Sequence, residues 1–341
     1  MPTTMKAARI HAYGEALRID EVPVPQPDQG QVQIAIVASG VCHTDIHATS
    51  GDMAGRPSLP FVPGHEIVGR VSAVGAGVQQ IKEGDVVGVP SLHWACGECD
   101  YCQAGWETLC HSQLATGYSV DGGFAQFCVA PADFVTRIPH GVDLYEMAPI
   151  LCAGVTTCKG LKQTGARKGD WVVISGIGGL GHVAVQYARA LGYQVAVVDI
   201  SDDKLELARR LGAELTVNAQ LNDAPSVIQR EIGGAHAVLV TAAAKTAFRA
   251  GVDMLRRGGV CVLCGLPSGE FPVPILPVVL GGLTVTGSII GTRVDMDEAI
   301  AMAIEAGVKV QIEKQPLENI NDIFARLSKG EVLGRVVLEI S

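Results

Sequence analysis

Four of the chain's ten cysteines, Cys96, Cys99, Cys102 and Cys110, stand at C-x2-C-x2-C-x7-C in a glycine-rich stretch. Four thiolates on so short a loop can close a tetrahedron around zinc, and a site filled by protein sulfur anchors its loop without meeting a substrate. The competing disulfide reading needs an oxidising compartment, for which the chain carries no signal. A second set, Cys42, His65 of Gly64-His65-Glu66, and Cys152, offers two sulfurs and an imidazole. Three soft donors with one position left open are what catalytic zinc requires. Taken singly, the two cysteines also read as small buried hydrophobes and the histidine as a hydrogen-bonded core residue. Their surroundings favour the joint reading: Cys42 opens Cys42-His43-Thr44-Asp45-Ile46-His47, and His65 lies among Gly64, Gly69 and Gly75. Cys128, Cys158, Cys261 and Cys264 read as core thiols.

A third chemistry is written at Gly176-Ile177-Gly178-Gly179-Leu180-Gly181. The motif follows an apolar run and opens a helical pattern, the context in which G-x-G-x-x-G places a pyrophosphate on a helix N-terminus. Asp199 ends the next apolar run, where a carboxylate accepts hydrogen bonds from the adenosine ribose diol and repels a 2′-phosphate, so NAD is expected over NADP.

The elements that must position these groups fall into two rhythms. From Met5 to about Leu151, short β runs (31–37, 69–75, 85–89) alternate with Gly and Pro, which predicts a twisted all-β lobe with long functional loops. From Asp170 onward strands and helices alternate: strands at 171–175, 194–198, 235–240 and 259–263, helices at 182–191 and 203–211. That alternation predicts a parallel sheet covered on both faces. Helices at 297–306 and 318–327 and a strand at 334–340 complete the chain. The uncharged stretch from Phe271 to Thr292 holds too many prolines and glycines for a membrane span; it reads as a buried strand pair with turns at Gly281-Gly282 and Gly287, hidden at a subunit interface. The chain's 341 residues suit about two domains of ~150 residues each. A formal charge of -9 without a Lys/Arg cluster argues against nucleic acid. The N-terminal residues show no apolar h-region, so the cytoplasm is the expected compartment.

With these motifs on the page, the chain resembles the zinc-dependent alcohol dehydrogenases of the medium-chain dehydrogenase/reductase family, in particular their tetrameric bacterial and yeast branch. The resemblance runs from Met5 to the C-terminus. It is carried by the His65 signature, the four-cysteine loop, Leu151-Cys152-Ala153-Gly154-Val155-Thr156-Thr157, the nucleotide motif with Asp199, and Gly334-Arg335-Val336-Val337-Leu338. It implies an α/β protein: a GroES-like β-rich catalytic domain at 1–153, completed by 290–341, and a Rossmann doubly wound coenzyme domain at 154–289. It also implies NAD, a homotetramer, and two zinc ions per subunit, one catalytic on Cys42, His65 and Cys152, one structural on Cys96, Cys99, Cys102 and Cys110. The implied activity is reversible oxidation of primary alcohols, with secondary and aromatic ones also in range, to aldehydes or ketones.

The same resemblance implies individual roles. Thr44 takes the alcohol proton and passes it by way of the nicotinamide ribose to His47, which delivers it to solvent. Asp45 fixes the His65 tautomer, and Glu66 is a negative group near the metal. His43 and Arg335 match positions facing the coenzyme pyrophosphate, Lys204 one beside the adenosine ribose, Thr156 one under the nicotinamide, and Ser288 and Ile290 backbone contacts to its carboxamide. Where small-alcohol members carry two pocket-narrowing tryptophans, this chain has Met53 and Ser91, with Trp94 displaced three residues along; a roomier cleft is expected. Within the superfamily, NADP-using cinnamyl-type reductases are the alternative, and they lack an acid at the position of Asp199. From a different class, a non-catalytic zinc-scaffolded binding module would need neither the nucleotide motif nor the Thr44/His47 pair.

Overall fold

The structure, a computed structural model, describes residues 2–340 apart from 53, 54 and 56. It divides into two compact units: Met1–Cys152 with Gly291–Asp297 and Val310–Ser341, and Ala153–Ile290 with Glu298–Lys309. The first is built on a seven-stranded sheet in which the long strand Gln31–Val41 is central. It pairs antiparallel with Glu66–Val74, with Phe127–Pro131 and with Arg335–Glu339. Inward residues Val32, Ile34, Ile67, Val71, Val336 and Leu338 form its core, onto which Ile320 and Ile323 of the helix Ile320–Ser328 pack. Burying each such side chain contributes about 2 kcal/mol. The β rhythm is broken at the chemically dense segment, which forms a helix, His43–Ser50, directly after the central strand.

The second unit carries a six-stranded, all-parallel sheet in the order Leu215–Asn218, Gln194–Asp199, Trp171–Ser175, Ala235–Val240, Leu255–Leu263, Thr284–Gly287. In chain order this is 3-2-1-4-5-6, the doubly wound Rossmann arrangement, whose strand order reverses between Trp171–Ser175 and Ala235–Val240 and opens a crevice at their carboxyl ends. Val173, Ala196, Val198, Val238 and Val240 are all buried, as a sheet covered on both faces demands.

Two differences from the sequence reading have local causes. Residues 298–309 belong to the second unit rather than to the 290–341 return: Tyr187 Oη donates to Ala299 O at 2.8 Å, and Gln186 brackets Lys309 through both its amide atoms. The uncharged stretch is not a strand pair. It forms a helix, Ile275–Gly281, and then the edge strand Thr284–Gly287. Pro274 caps the helix and Pro277 sits in its first turn, where backbone N–H groups have no helical partner to lose. Gly282, left-handed at φ 59°, ends it. The segment is also exposed within the single chain, with Ile275 at 77% and Leu280 at 69%. Among the described residues no helix is long and apolar enough to cross a membrane.

Candidate active site

Three distant segments bring the first donor set together. Cys42 closes the central strand and opens the helix His43–Ser50, His65 immediately precedes the strand Glu66–Val74, and Cys152 lies in a π-helical turn, Ile150–Gly154. Donor atoms of Cys42, His65, Glu66 and Cys152 all lie within 4.8 Å of one another, and His65 Nε2 is 3.3 Å from Cys152 Sγ. A tetrahedron with Zn–S of ~2.3 Å has edges of about 3.8 Å, so donors gathered this closely could hold one ion. The Cys152 thiol bonded to Cys42 holds the Cys42 thiol well below its usual range, against the effect of burial. The same hydrogen bond, with burial, pushes Cys152 well above.

Asp45 organises this cluster. Its Oδ1 lies 2.8 Å from His65 Nδ1 and accepts from Gly64 N at 3.2 Å, while Oδ2 accepts from Cys42 N at 2.8 Å. Burial works to lower the His65 imidazole, but Asp45, by charge and hydrogen bond, together with Cys42, raises it to about 10. With Nδ1–H committed to Asp45, Nε2 is the atom aimed at the sulfurs. Replacing Asp45 by Asn is expected to weaken metal retention by about 10–100-fold; transfer of zinc to a chromogenic chelator measures it, and an unchanged rate would show that the carboxylate does not orient the ligand.

Glu66 is fully buried and pairs with Arg335, also buried, while its Oε1 lies 3.9 Å from His65 Nε2. Arg335, matched by resemblance to the coenzyme pyrophosphate, has its guanidinium on Glu66 here. Thr44 and His47 lie one turn apart on the helix that Cys42 opens; Thr44 Oγ1 is 3.7 Å from Cys42 Sγ, and half-buried His47 has Nδ1 3.9 Å from Asp52. His43 is exposed.

The second cysteine set also closes. Cys96 Sγ is 3.9 Å from Cys102 Sγ and 3.5 Å from Cys110 Sγ, and all four donors lie within 4.8 Å of one another. Backbone N–H groups of Glu98 and Cys99 lower Cys96 to about 6, so a thiolate is at hand for a metal. Arg293 ties this loop down, its guanidinium bonded to Glu107 Oε1 at 2.9 Å through Nε and at 2.5 Å through Nη2.

In the second unit the glycines divide by purpose. A Cβ on Gly181 would lie 1.9 Å from Gly176 O, and one on Gly176 would lie 2.7 Å from Ala242 N, so both are required by packing. A Cβ on Gly178 would meet nothing within 4 Å, so the packing of the chain itself does not require that glycine. Gly179 and Leu180 complete the turn into the helix Gly181–Ala190. Asp199 ends the second strand and binds backbone on both oxygens: Oδ2 accepts from Ile177 N at 2.5 Å, Oδ1 from Ile200 N at 2.7 Å and Ser201 N at 3.0 Å. Lys204 is half-buried on the following helix, and Thr156 is buried on the helix Val155–Gln163. Ser288 N donates to Leu263 O at 3.0 Å. Ile290, at φ 31°, is the one non-glycine with positive φ among the described residues, a strained conformation for a β-branched side chain.

Of the proposed pocket residues, Met53 lies outside the described residues, Ser91 is half-buried, and Trp94 is exposed on a short strand, Leu92–Trp94. A cavity of about 200 Å³ in the first unit, lined by Pro90, Leu92, Phe134, Thr136, Thr292 and Asp297, contains no donor of either metal set.

Two family models match the chain: the alcohol dehydrogenase GroES-like domain over residues 28–140 and the zinc-binding dehydrogenase domain over residues 179–305. An alcohol dehydrogenase of Moraxella sp. (strain TAE123) is 56% identical over 335 residues, 98% of this chain and 99% of that one. The chain belongs to the zinc-type alcohol dehydrogenases. An alcohol dehydrogenase of Geobacillus stearothermophilus shares 54% identity over 98% of this chain and 100% of its own. The crystal structure of the alcohol dehydrogenase from the archaeon Aeropyrum pernix matches at a TM-score of 0.91 with 34% identity, covering 98% of this chain and 99% of that chain. As a zinc-type alcohol dehydrogenase, the protein is an oxidoreductase with a GroES-like domain and a Rossmann domain. What the sequence reading missed in this alcohol dehydrogenase is that Asp199 holds the glycine turn through Ile177, and that the Glu66–Arg335 pair is buried. The two partners stand 269 positions apart, and no local pattern joins them.

Proposed function

We propose that the enzyme reversibly oxidises primary alcohols, with secondary and aromatic ones also in range, to aldehydes or ketones with NAD. The observation that supports this most is the convergence of Cys42, His65 and Cys152 beside the Thr44 hydroxyl, on a helix that also carries His47. When bound, zinc supplies Lewis acidity toward the alcohol hydroxyl, and NAD supplies the hydride acceptor. Cys42 and Cys152 offset the charge of the ion, which keeps ligand exchange easy. Thr44 accepts the alcohol proton, and His47, reached by solvent, releases it. Asp199 accepts hydrogen bonds from the ribose diol and disfavours a 2′-phosphate by like-charge repulsion. The structural role of the four-cysteine loop follows from its four sulfurs, which leave no position for a substrate.

Side chains smaller than tryptophan at positions 53 (Met53) and 91 (Ser91) support a roomy alcohol site. Specificity constants for ethanol, 1-hexanol and benzyl alcohol, each with NAD and NADP, test both parts of the reading. The longer alcohols are expected to match or exceed ethanol, and NAD to be preferred. A strong ethanol preference counts against the roomy site, and equal use of NADP counts against the role of Asp199.

We infer further that the enzyme is a homotetramer of the cytoplasm, where its thiols stay reduced. The support is the exposed apolar helix Ile275–Gly281 beside the edge strand Thr284–Gly287, a combination that invites covering by another copy. Light scattering is expected to return the mass of four chains; a monomer at micromolar concentration would remove the inference.

A further inference from the structure

Gly40 lies on the central strand Gln31–Val41 directly opposite Glu66 on its neighbour. A Cβ placed on Gly40 would stand 1.9 Å from Glu66 Oε2, 2.8 Å from its Cδ and 3.0 Å from its Cβ. No other residue type leaves the Glu66 carboxylate where it is. That carboxylate is wholly buried, so it cannot retreat into solvent. Oε1 is held by Arg335, whereas Oε2 accepts no hydrogen bond from any described residue, and Arg335 Nε is likewise without a partner. The pair is therefore loosely determined at one oxygen and one nitrogen. At the same time a Glu66 oxygen already counts among the four donors gathered within 4.8 Å, with Oε1 3.9 Å from His65 Nε2. The carboxylate has two stations open to it, the Arg335 guanidinium and the cation that Cys42, His65 and Cys152 would hold.

We propose that Gly40 is a positioning residue, whose missing side chain provides the space that keeps the Glu66 carboxylate on Arg335 and so prevents it from becoming a fourth protein ligand beside Cys42, His65 and Cys152. The inference rests on the reading of those three residues as a metal site. A Cβ at position 40 drives the carboxylate back by about 1.5 Å before ordinary contact distances are restored. On this proposal the displaced carboxylate, barred by the strand on one side and by Arg335 on another, would turn toward the ion that Cys42, His65 and Cys152 would hold. A site with three protein donors then becomes one with four, which is the difference between a catalytic and a structural zinc.

The test is Gly40→Ala in the holoenzyme with cobalt(II) in place of zinc, read by its visible spectrum as imidazole is added. Wild-type protein is expected to show a spectral change with imidazole; the four-cysteine loop, already closed, contributes a constant background. Gly40→Ala is expected to show no change, to lose cobalt to a chelator about tenfold more slowly, and to lose about tenfold in kcat, effects of the size that groups around a metal usually exert. If wild-type protein gives no thiolate–cobalt signal beyond the loop, the metal reading itself fails. If wild type responds and Gly40→Ala responds equally, or loses cobalt faster, the role of Gly40 is overturned. Should Gly40→Ala not fold, Gly40→Ala/Glu66→Ala decides, because removing the carboxylate takes the closest Glu66 contact from 1.9 Å to 3.0 Å. A folded double variant supports the proposal, and an unfolded one defeats it.

Discussion

Cys152→Ser is expected to leave a folded protein that retains about one zinc per chain instead of about two, with alcohol oxidation reduced by ~10³-fold or more. The size follows from Lewis-acid stabilisation worth several kcal/mol, each 1.36 kcal/mol being tenfold in rate. A serine oxygen is a harder donor than sulfur and keeps its proton at neutral pH, so two donors remain where three converged. The turn that carries Cys152 does not depend on the sulfur: Thr157 Oγ1 holds it by donating to Ala153 O at 2.7 Å and Gly154 O at 3.2 Å. Thermal unfolding should therefore change little while metal content and kcat/KM fall together. Full activity with one zinc, or two zinc ions with full activity, would remove Cys152 from the centre.

Replacement of Asp199 by Ala is expected to change two properties at once. The preference for NAD over NADP should collapse by ~10²–10³-fold, because like-charge juxtaposition costs several kcal/mol and every 1.4 kcal/mol is a factor of ten. Stability should fall as well, because the buried N–H of Ile177 loses its acceptor, at about 1–3 kcal/mol, while the N–H groups of Ile200 and Ser201, nearer solvent, lose less. Asp199→Asn separates the effects. It removes the charge while keeping one acceptor oxygen, so it should retain most of the gain toward NADP and recover part of the stability. Coenzyme dissociation constants and melting temperatures of the two variants provide the comparison; an unaltered coenzyme ratio in both would disconnect Asp199 from that choice.

How far such residues can be read in advance depends on how local their partners are. The strands Trp171–Ser175 and Ala235–Val240 fall where continuous apolar runs predict them, since a doubly covered parallel strand writes its burial into consecutive residues. The four-cysteine loop is equally legible, its donors being neighbours. The helix His43–Ser50 is not: His-Thr-Asp-Ile-His-Ala-Thr-Ser has no apolar stripe, and the helix is held by Asp45 and by packing rather than by its own pattern. The helix Ile275–Gly281 hides behind prolines, glycine and valines, residues that ordinarily argue against one. Gly40 looks like any strand glycine until the opposing side chain is known, and Glu66 becomes a buried partner of Arg335 only after both strands have joined the central one.

The contrast between the two metal centres extends to the order in which they can be filled. Cys96 and Cys110 are 14 positions apart, whereas Cys42 and Cys152 are 110 apart. That is about three doublings of loop length, or about 2 kcal/mol of additional closure entropy before the second centre can gather its donors. A nascent or denatured chain is therefore expected to capture a first ion at the cysteine loop, and an ion on Cys42, His65 and Cys152 to enter last, into a unit already assembled. Competence to turn over alcohol consequently reports completed maturation, and apoprotein refolded with limiting metal should accumulate as a half-loaded, inactive form.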